Sequence, residues 1–184
     1  MTHYTLALFL HIIGVLGLFT AIGMEWMSLF RMRRVRLTVQ VQEWSGVYAI
    51  LGRVFSISAA LILVSGLYLV HEAWGKGTAW TTLALIVLIL LGAAGGGFIV
   101  PRLRAIHVAA EAAPAGAVPD SLRSLILDPI LWATVQVSAA LGFGVVYLMT
   151  IKPELGGSLL TVVVAAVIGL AVSQPIWRAR PVVA

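Results

Sequence analysis

The stretch ALFLHIIGVLGLFTAIGMEW, residues 7–26, decides the fold class because it holds only two ionisable side chains. About 20 apolar residues in a helix are enough to cross the hydrocarbon core of a bilayer. The two exceptions are His11 near the start of the stretch and Glu25 near its end. The sequence therefore predicts a membrane-spanning helix that carries one imidazole and one carboxylate.

The rest of the chain has the same apolar character. Of its 184 residues, 61% are hydrophobic and 10% are charged, whereas roughly 45–50% apolar is usual for a soluble domain. The mean hydropathy is +1.05. We therefore predict an all-α polytopic membrane bundle with five transmembrane helices, in one domain over residues 1–184. The predicted spans are Tyr4–Phe30, Val54–Trp74, Trp80–Val100, Pro129–Thr150 and Leu155–Trp177.

The basic residues predict the orientation of the bundle. All but Lys76 and Lys152 of the twelve Lys and Arg residues follow spans one, three and five. Because basic connections stay in the cytoplasm, we expect the amino terminus outside and the carboxyl terminus inside. The formal charge of +5 is thus a topology signal. It does not indicate nucleic-acid binding, which needs a basic face on a soluble domain.

Two connections are longer than the others. Residues 31–52 end in WSGVYAILG, which predicts that the second helix begins before it enters the membrane. Residues 101–128 contain AAEAAPAGAVPD, a composition typical of a mobile linker with room for a short helix before Pro114. We expect a folded soluble domain in neither connection.

Small residues recur at a spacing of four in three of the spans. Such residues let helix backbones approach closely in lipid, which predicts a compact bundle and leaves a homo-oligomer open. For the GAAGGG cluster, helix packing is favoured over the alternative of a space for a flat ligand. The pairs are Gly17 with Ala21, Gly92 with Gly96, and Ala140 with Gly144.

His11 and His71 are predicted to lie on the same side of the membrane. His11 shares a helix face with Gly14 and Glu25, so this face is expected to point into the bundle. Two imidazoles on neighbouring antiparallel helices can ligate a haem iron from opposite sides, and Gly14 would leave room beside the porphyrin. His3 or a Met could replace His71 as the second ligand. Alternatively, His11 is a buried, hydrogen-bonded histidine and His71 an interfacial one.

Glu25 and Gln136 are the other candidate site residues. Glu25 lies about 21 Å along the helix from His11, too far to share a ligand shell. It pairs either with Arg53 or Arg102 from a neighbouring helix, or serves as a catalytic proton acceptor. Gln136 in the fourth span is a candidate for contacting a quinone carbonyl or a porphyrin propionate. His107 is expected at the interface with no special role.

Several segments resemble a known superfamily. They are YTLALFLHIIGVLGLFTAIGMEWMSLFR at residues 4–31, LILVSGLYLV at 61–70 and VVYLMTIKP at 145–153. These segments are similar to the superfamily of the copper-resistance D domain and the HemJ-type protoporphyrinogen oxidases. They are most similar to a sister family of short bacterial integral membrane proteins of unknown function. The resemblance implies four core helices, here with a fifth, in the bacterial inner membrane, and a haem b ligand at His11. Span three has no ionisable residue, which argues against protoporphyrinogen oxidation.

Together these features predict a haem b-binding protein of electron transfer or membrane redox chemistry, linked to a quinone, a porphyrin or a small redox partner. The protein would then be a haem-dependent membrane oxidoreductase. Because the chain has no cysteine, the cofactor would be held by His, Met, carboxylates or apolar walls. Two alternatives stay open. One is a copper- or metal-handling protein that uses Met1, His3, His11 and His71, and the other is a structural or accessory subunit.

Overall fold

Five helices are long and apolar enough to cross a membrane, which confirms the predicted all-α bundle. The computed structural model describes residues 2–74 and 77–178, with side chains as far as Gln174. The spanning helices cover His3–Arg34, Thr38–Ala73, Ala79–Ala112, Asp120–Ile151 and Leu155–Gln174. The residues that the structure describes form no β-strand. Met1, Lys76 and Arg180, and the side chain of Arg178, lie outside the described part. The orientation of the bundle across the membrane stays a prediction.

Each spanning unit consists of one or more helical segments. The second and fourth begin with a short helix, and the third contains a π-helical turn at Gly95–Ile99. The segments are α1 His3–Arg34, α2 Thr38–Gly46, α3 Tyr48–Ala73, α4 Ala79–Ala94, α5 Val100–Ala112, α6 Asp120–Ile126, α7 Pro129–Ile151 and α8 Leu155–Arg178. Since α3 begins at Tyr48, the second helix does start ahead of the predicted span, as WSGVYAILG indicated.

Helix α7 has a defined signal at each end. The Asp128 carboxylate accepts a hydrogen bond from the Ile130 amide at 2.9 Å, and Pro129 occupies the first turn. The first amides of a helix have no partner within the helix. The Asp128 carboxylate satisfies one of them, and Pro129 has no amide hydrogen to satisfy. At the other end, Lys152 adopts a left-handed conformation with φ 54°, and its amide donates to the Leu148 carbonyl at 2.9 Å. Local sequence signals thus set both ends of α7.

Small residues bring two pairs of helices into close contact. Between α1 and α3, a Cβ added at Gly17 would lie 2.5 Å from Ser58 Oγ, and one at Gly14 would lie 3.0 Å from Ile62 Cγ1. Between α7 and α8, a Cβ at Gly144 would lie 3.1 Å from Ala165 Cβ. Close packing at Gly17 and Gly144 is therefore confirmed.

The glycine cluster of the third span does not pack against another helix. A Cβ added at Gly92, Gly95, Gly96 or Gly97 would meet no heavy atom of the described residues within 4 Å. The prediction of helix packing at Gly92 and Gly96 is therefore wrong. The spacing of small residues marks a smooth face on a helix, but it does not show what lies opposite that face.

Residues 101–128 are not a loose linker. They form α5 and α6 and pack at the end of the bundle that carries most of the arginines, called here the arginine-rich end. The Val118 amide donates to the Arg36 carbonyl at 2.9 Å, and the Thr38 amide donates to the Gly116 carbonyl at 2.9 Å. Leu103, Ile106 and other buried side chains join a hydrophobic cluster there. The expectation of a mobile connection is wrong because long-range backbone hydrogen bonds and apolar contacts hold this segment.

Candidate functional site

His11 lies in the contact between α1 and α3. It is 8% exposed, and its Nδ1 lies 3.2 Å from Ser65 Oγ. Ser65 uses its one hydrogen to donate to the Leu61 carbonyl, so the imidazole Nδ1–H is the donor of the bond to Ser65. A Cβ added at Gly66 would lie 3.1 Å from His11 Cε1. Of the two interpretations of His11, these contacts match the buried, hydrogen-bonded histidine.

His71 does not approach His11. Its side chain is 77% exposed, and its Nδ1 lies 3.8 Å from a Glu72 carboxylate oxygen. Ser65, the partner of His11, precedes His71 on the same helix by about 9 Å of rise and about 240° of rotation. Gly14 is filled from the α3 side by Ile62, so no slot for a porphyrin opens between these helices. Ligation of haem by His11 and His71 stays a prediction that these contacts do not favour.

His3, the substitute outer ligand, is exposed at the start of α1. It borders a shallow apolar groove of about 560 Å³ between α1 and α3, which Ser65 and Tyr68 also line. The described residues contain no group of three or more His, Cys, Asp and Glu side chains that could hold a metal ion. The outer metal site therefore gains no support, and its Met1 lies outside the described part of the chain.

Glu25 is buried without an ion pair. It is 6% exposed, and among the described residues no side chain or amide donates a hydrogen bond to it. Arg102, one predicted partner, instead donates from Nε to Asp128 at 2.7 Å. Arg53, the other predicted partner, is exposed and makes no ion pair with Glu25 within the described structure. The expected ion pair is wrong, and the carboxyl group lies at the edge of a cavity.

The Glu25 cavity is a space of about 620 Å³ lined by residues of α1, α2, α3, α4, α5 and α7. Most of its wall is apolar, with Leu18 and Ile22 on α1, Phe55 on α3 and Leu88 on α4. Ligand pockets in proteins typically have about 300–1,000 Å³ and a few polar groups among apolar walls. The Glu25 cavity has both properties.

One wall of the cavity is made of glycine backbone. Gly92, Gly95 and Gly96 line it, and the π-helical turn Gly95–Ile99 begins there. Such turns interrupt the regular hydrogen-bond ladder of an α-helix and occur frequently at functional sites. Because a Cβ added at these glycines would have no contact within 4 Å, a ring system can approach the backbone closely here.

The polar groups of the cavity lie at its arginine-rich end. The Tyr48 hydroxyl is buried and has no hydrogen-bond partner in the described structure, and Tyr48 lies within electrostatic range of Glu25. His107 Nδ1 lies 2.9 Å from Ser45 Oγ, and Ser45 donates to the Gln42 carbonyl at 3.1 Å. Nδ1 of His107 therefore carries the proton and donates to Ser45. Arg104 lines the same end one helical turn before His107.

The cavity also opens sideways, between α3 and α4. These helices contact each other little compared with α1 and α3. Ala49 and Ser56 on one side and Gly92 and Gly96 on the other line the cavity and are exposed on the surface of the bundle. Since all four residues belong to helical units that are long and apolar enough to span a membrane, a lipid-soluble ligand can reach the cavity from the bilayer.

One protein-family model matches the part of the chain that forms the Glu25 cavity. Residues 5–153 match the family model described as predicted integral membrane protein, DUF2269. The chain belongs to the DUF2269 family. No curated protein and no solved structure matches it. Every residue of the Glu25 cavity lies inside the range shared with DUF2269, whereas α8 lies outside it, and the more distant link to the copper-resistance D superfamily stays a prediction.

In this DUF2269 protein, Gln136 lies apart from the cavity. It is buried on α7, and its Oε1 has no hydrogen-bond partner among the described residues. A Cβ added at Gly169 of α8 would lie 2.9 Å from the Gln136 carbonyl oxygen. Contact of Gln136 with a quinone or a propionate stays a prediction. The residues that sequence reasoning missed are Tyr48, Arg104 and His107.

Proposed function

We propose that this protein binds a flat, lipophilic redox ligand, haem b or a quinone, in the Glu25 cavity and serves redox chemistry in the bacterial inner membrane. The observation that carries the proposal is the cavity itself, about 620 Å³ with apolar walls and a glycine face. A bound porphyrin or quinone supplies the electron-transfer chemistry, and the protein supplies binding, orientation and electrostatics.

The chain's own residues have three tasks in this proposal. The apolar walls exclude water, and the glycine face admits a ring to the backbone of the third span. Glu25 is positioned to accept a proton, because it lies at the cavity and has no ion pair among the described residues. A small redox partner would exchange electrons at the exposed edge of the ligand.

Haem b fits the donor set of the cavity better than it fits the space beside His11. An iron-ligating imidazole commonly donates from one ring nitrogen to a second group and ligates with the other. His107 donates from Nδ1 to Ser45, which leaves Nε2 as the ligating nitrogen. Were haem b instead held by His11 and His71, as predicted from the sequence, α1 and α3 would have to separate at Gly14 and Gly66.

The test is a spectrum and an extraction. The full chain, purified in mild detergent from cells supplied with a haem precursor, is expected to show b-type bands in a reduced-minus-oxidised spectrum, or to release quinone into an organic solvent. A protein that yields neither ligand and binds neither when it is added would overturn the proposal. The accessory-subunit alternative would then take its place.

Two glycine variants test whether the ligand occupies the cavity. Gly95→Leu places a side chain on the lining face, and we expect ligand content about tenfold lower because overpacking costs about 1–3 kcal/mol. Gly97→Leu is the matched control, since Gly97 lies in the same π-helical turn and is not among the residues that line the cavity. Equal loss in both variants would place the ligand elsewhere.

A further inference from the structure

We infer that the ligand of the Glu25 cavity is a lipid-soluble quinol, with one ring hydroxyl placed between Glu25 and Tyr48 and its tail leaving between α3 and α4. This inference rests on the proposed function and selects one of its two ligand classes. The hydrogen-bond needs, the charges and the opening of the cavity support it.

Glu25 and Tyr48 have complementary hydrogen-bond needs that the described residues do not meet. An ionised carboxylate only accepts hydrogen bonds, whereas the Tyr48 hydroxyl can donate one. Glu25 receives no hydrogen bond within the described structure, and the Tyr48 hydroxyl is buried without a partner. Leaving buried polar groups unpaired destabilises a protein. A phenolic hydroxyl meets both needs, since it donates to the carboxylate and accepts from the tyrosine.

The charges at the cavity select an uncharged head group. Glu25 is 6% exposed and has no ion pair among the described residues, so a carboxylate or phosphate beside it would bring a second acidic group into a largely apolar space. Arg102, the nearby basic side chain of α5, is already bound to Asp128 at 2.7 Å. Arg104 lines the cavity but is exposed. An anionic lipid head group is therefore disfavoured beside Glu25, and a neutral quinol is not.

The opening suits a molecule with a long apolar tail. The gap between α3 and α4 is bordered by Ala49, Ser56, Gly92 and Gly96, whose small side chains leave a passage at membrane depth. A ring can enter the cavity through this passage while its tail stays in the lipid. A porphyrin has no such tail, so a lateral slit of small residues gives it no advantage.

The first experiment compares two tyrosines of the same helix. The full chain is freed of lipid in detergent and titrated with a short-tailed benzoquinol and a short-tailed naphthoquinol, with tryptophan emission as the readout. Tyr48→Phe is expected to raise Kd about tenfold, the effect of one buried hydrogen bond. Tyr68→Phe is the matched control, because Tyr68 lies on α3 beside the other groove. Equal Kd values for the two variants would overturn the inference.

A second measurement needs no variant. The dimethyl ether of the same quinol keeps the ring and the tail but cannot donate to Glu25, so the wild-type protein is expected to bind it about tenfold more weakly. Equal binding of the ether and the quinol would overturn the inference.

The same purified protein separates the inference from the proposed function. If the purified chain carries haem b and does not bind quinols, the inference fails and the proposed function stands. If it takes up neither ligand, both fail.

Discussion

At the scale of single residues, the two ionisable groups of the first span have opposite environments. His11 is satisfied by Ser65 at 3.2 Å and enclosed by Gly66, whereas Glu25 borders a cavity with no partner among the described residues. Polar groups within a membrane are costly unless they are paired or functional. We therefore expect a structural role for the paired histidine and a functional role for the unpaired carboxylate.

The role of His11 can be tested through its partner. Ser65→Ala removes the acceptor of the His11 Nδ1–H, and we expect the free energy of unfolding in detergent to fall by about 1 kcal/mol. Thr20→Ala on α1 is the control, because Thr20 is exposed, lines neither the cavity nor the groove and bonds only to the Leu16 carbonyl of its own helix at 2.8 Å. Ligand content should not change in either variant. Loss of haem from Ser65→Ala would return His11 to the role of an iron ligand.

At the scale of elements, identical residue types have opposite uses. Gly14 of α1 and Gly169 of α8 lie against neighbouring helices, whereas Gly95 of the third span lines the Glu25 cavity. At Gly169 an added Cβ would lie 2.5 Å from Val137 Cα, which is closer than two such carbon atoms can come. The α7–α8 contact therefore depends on backbone-to-backbone approach.

This dependence gives a stability prediction for α8. Gly169→Ala should push α8 away from α7 and lower the free energy of unfolding by about 1–3 kcal/mol. Gly156→Ala on the same helix should be neutral, because a Cβ there meets no described heavy atom within 4 Å. Thermal unfolding of both variants in the same detergent decides the matter. A stable Gly169→Ala variant would show that the two helices have room to adjust.

The sequence predicted the elements better than it predicted the site. Hydropathy alone located five spans, since a helix in lipid must satisfy its own backbone and expose apolar side chains. A space for a flat ligand at GAAGGG was only the less favoured alternative, because the cavity depends on what lies opposite Gly92 and on the pairing of His107 with Ser45, which is 62 residues away. The Ala- and Pro-rich composition before Pro119 is typical of a linker. The hydrogen bonds that order this segment reach residues 36 and 38, and local composition does not reveal such long-range partners.

At the scale of the whole molecule, the orientation of the bundle would decide which compartment exchanges protons with Glu25 in the proposed function. The polar groups of the cavity lie at the arginine-rich end, and basic connections stay in the cytoplasm. We therefore expect Tyr48, Arg104 and His107 to face the cytoplasm, with the α7–α8 connection outside. A proton released to Glu25 would then leave towards the cytoplasm.

Labelling of single cysteines tests this orientation directly, because the chain has no cysteine of its own. Glu154 in the α7–α8 connection and Glu111 near the end of α5 are both exposed, so either position tolerates the change. In intact spheroplasts, a membrane-impermeant maleimide should label the Glu154→Cys variant and spare the Glu111→Cys variant. Permeabilised membranes should show both labelled. The reverse pattern in intact cells would place the polar end of the cavity outside, and Glu25 would then exchange protons with the exterior.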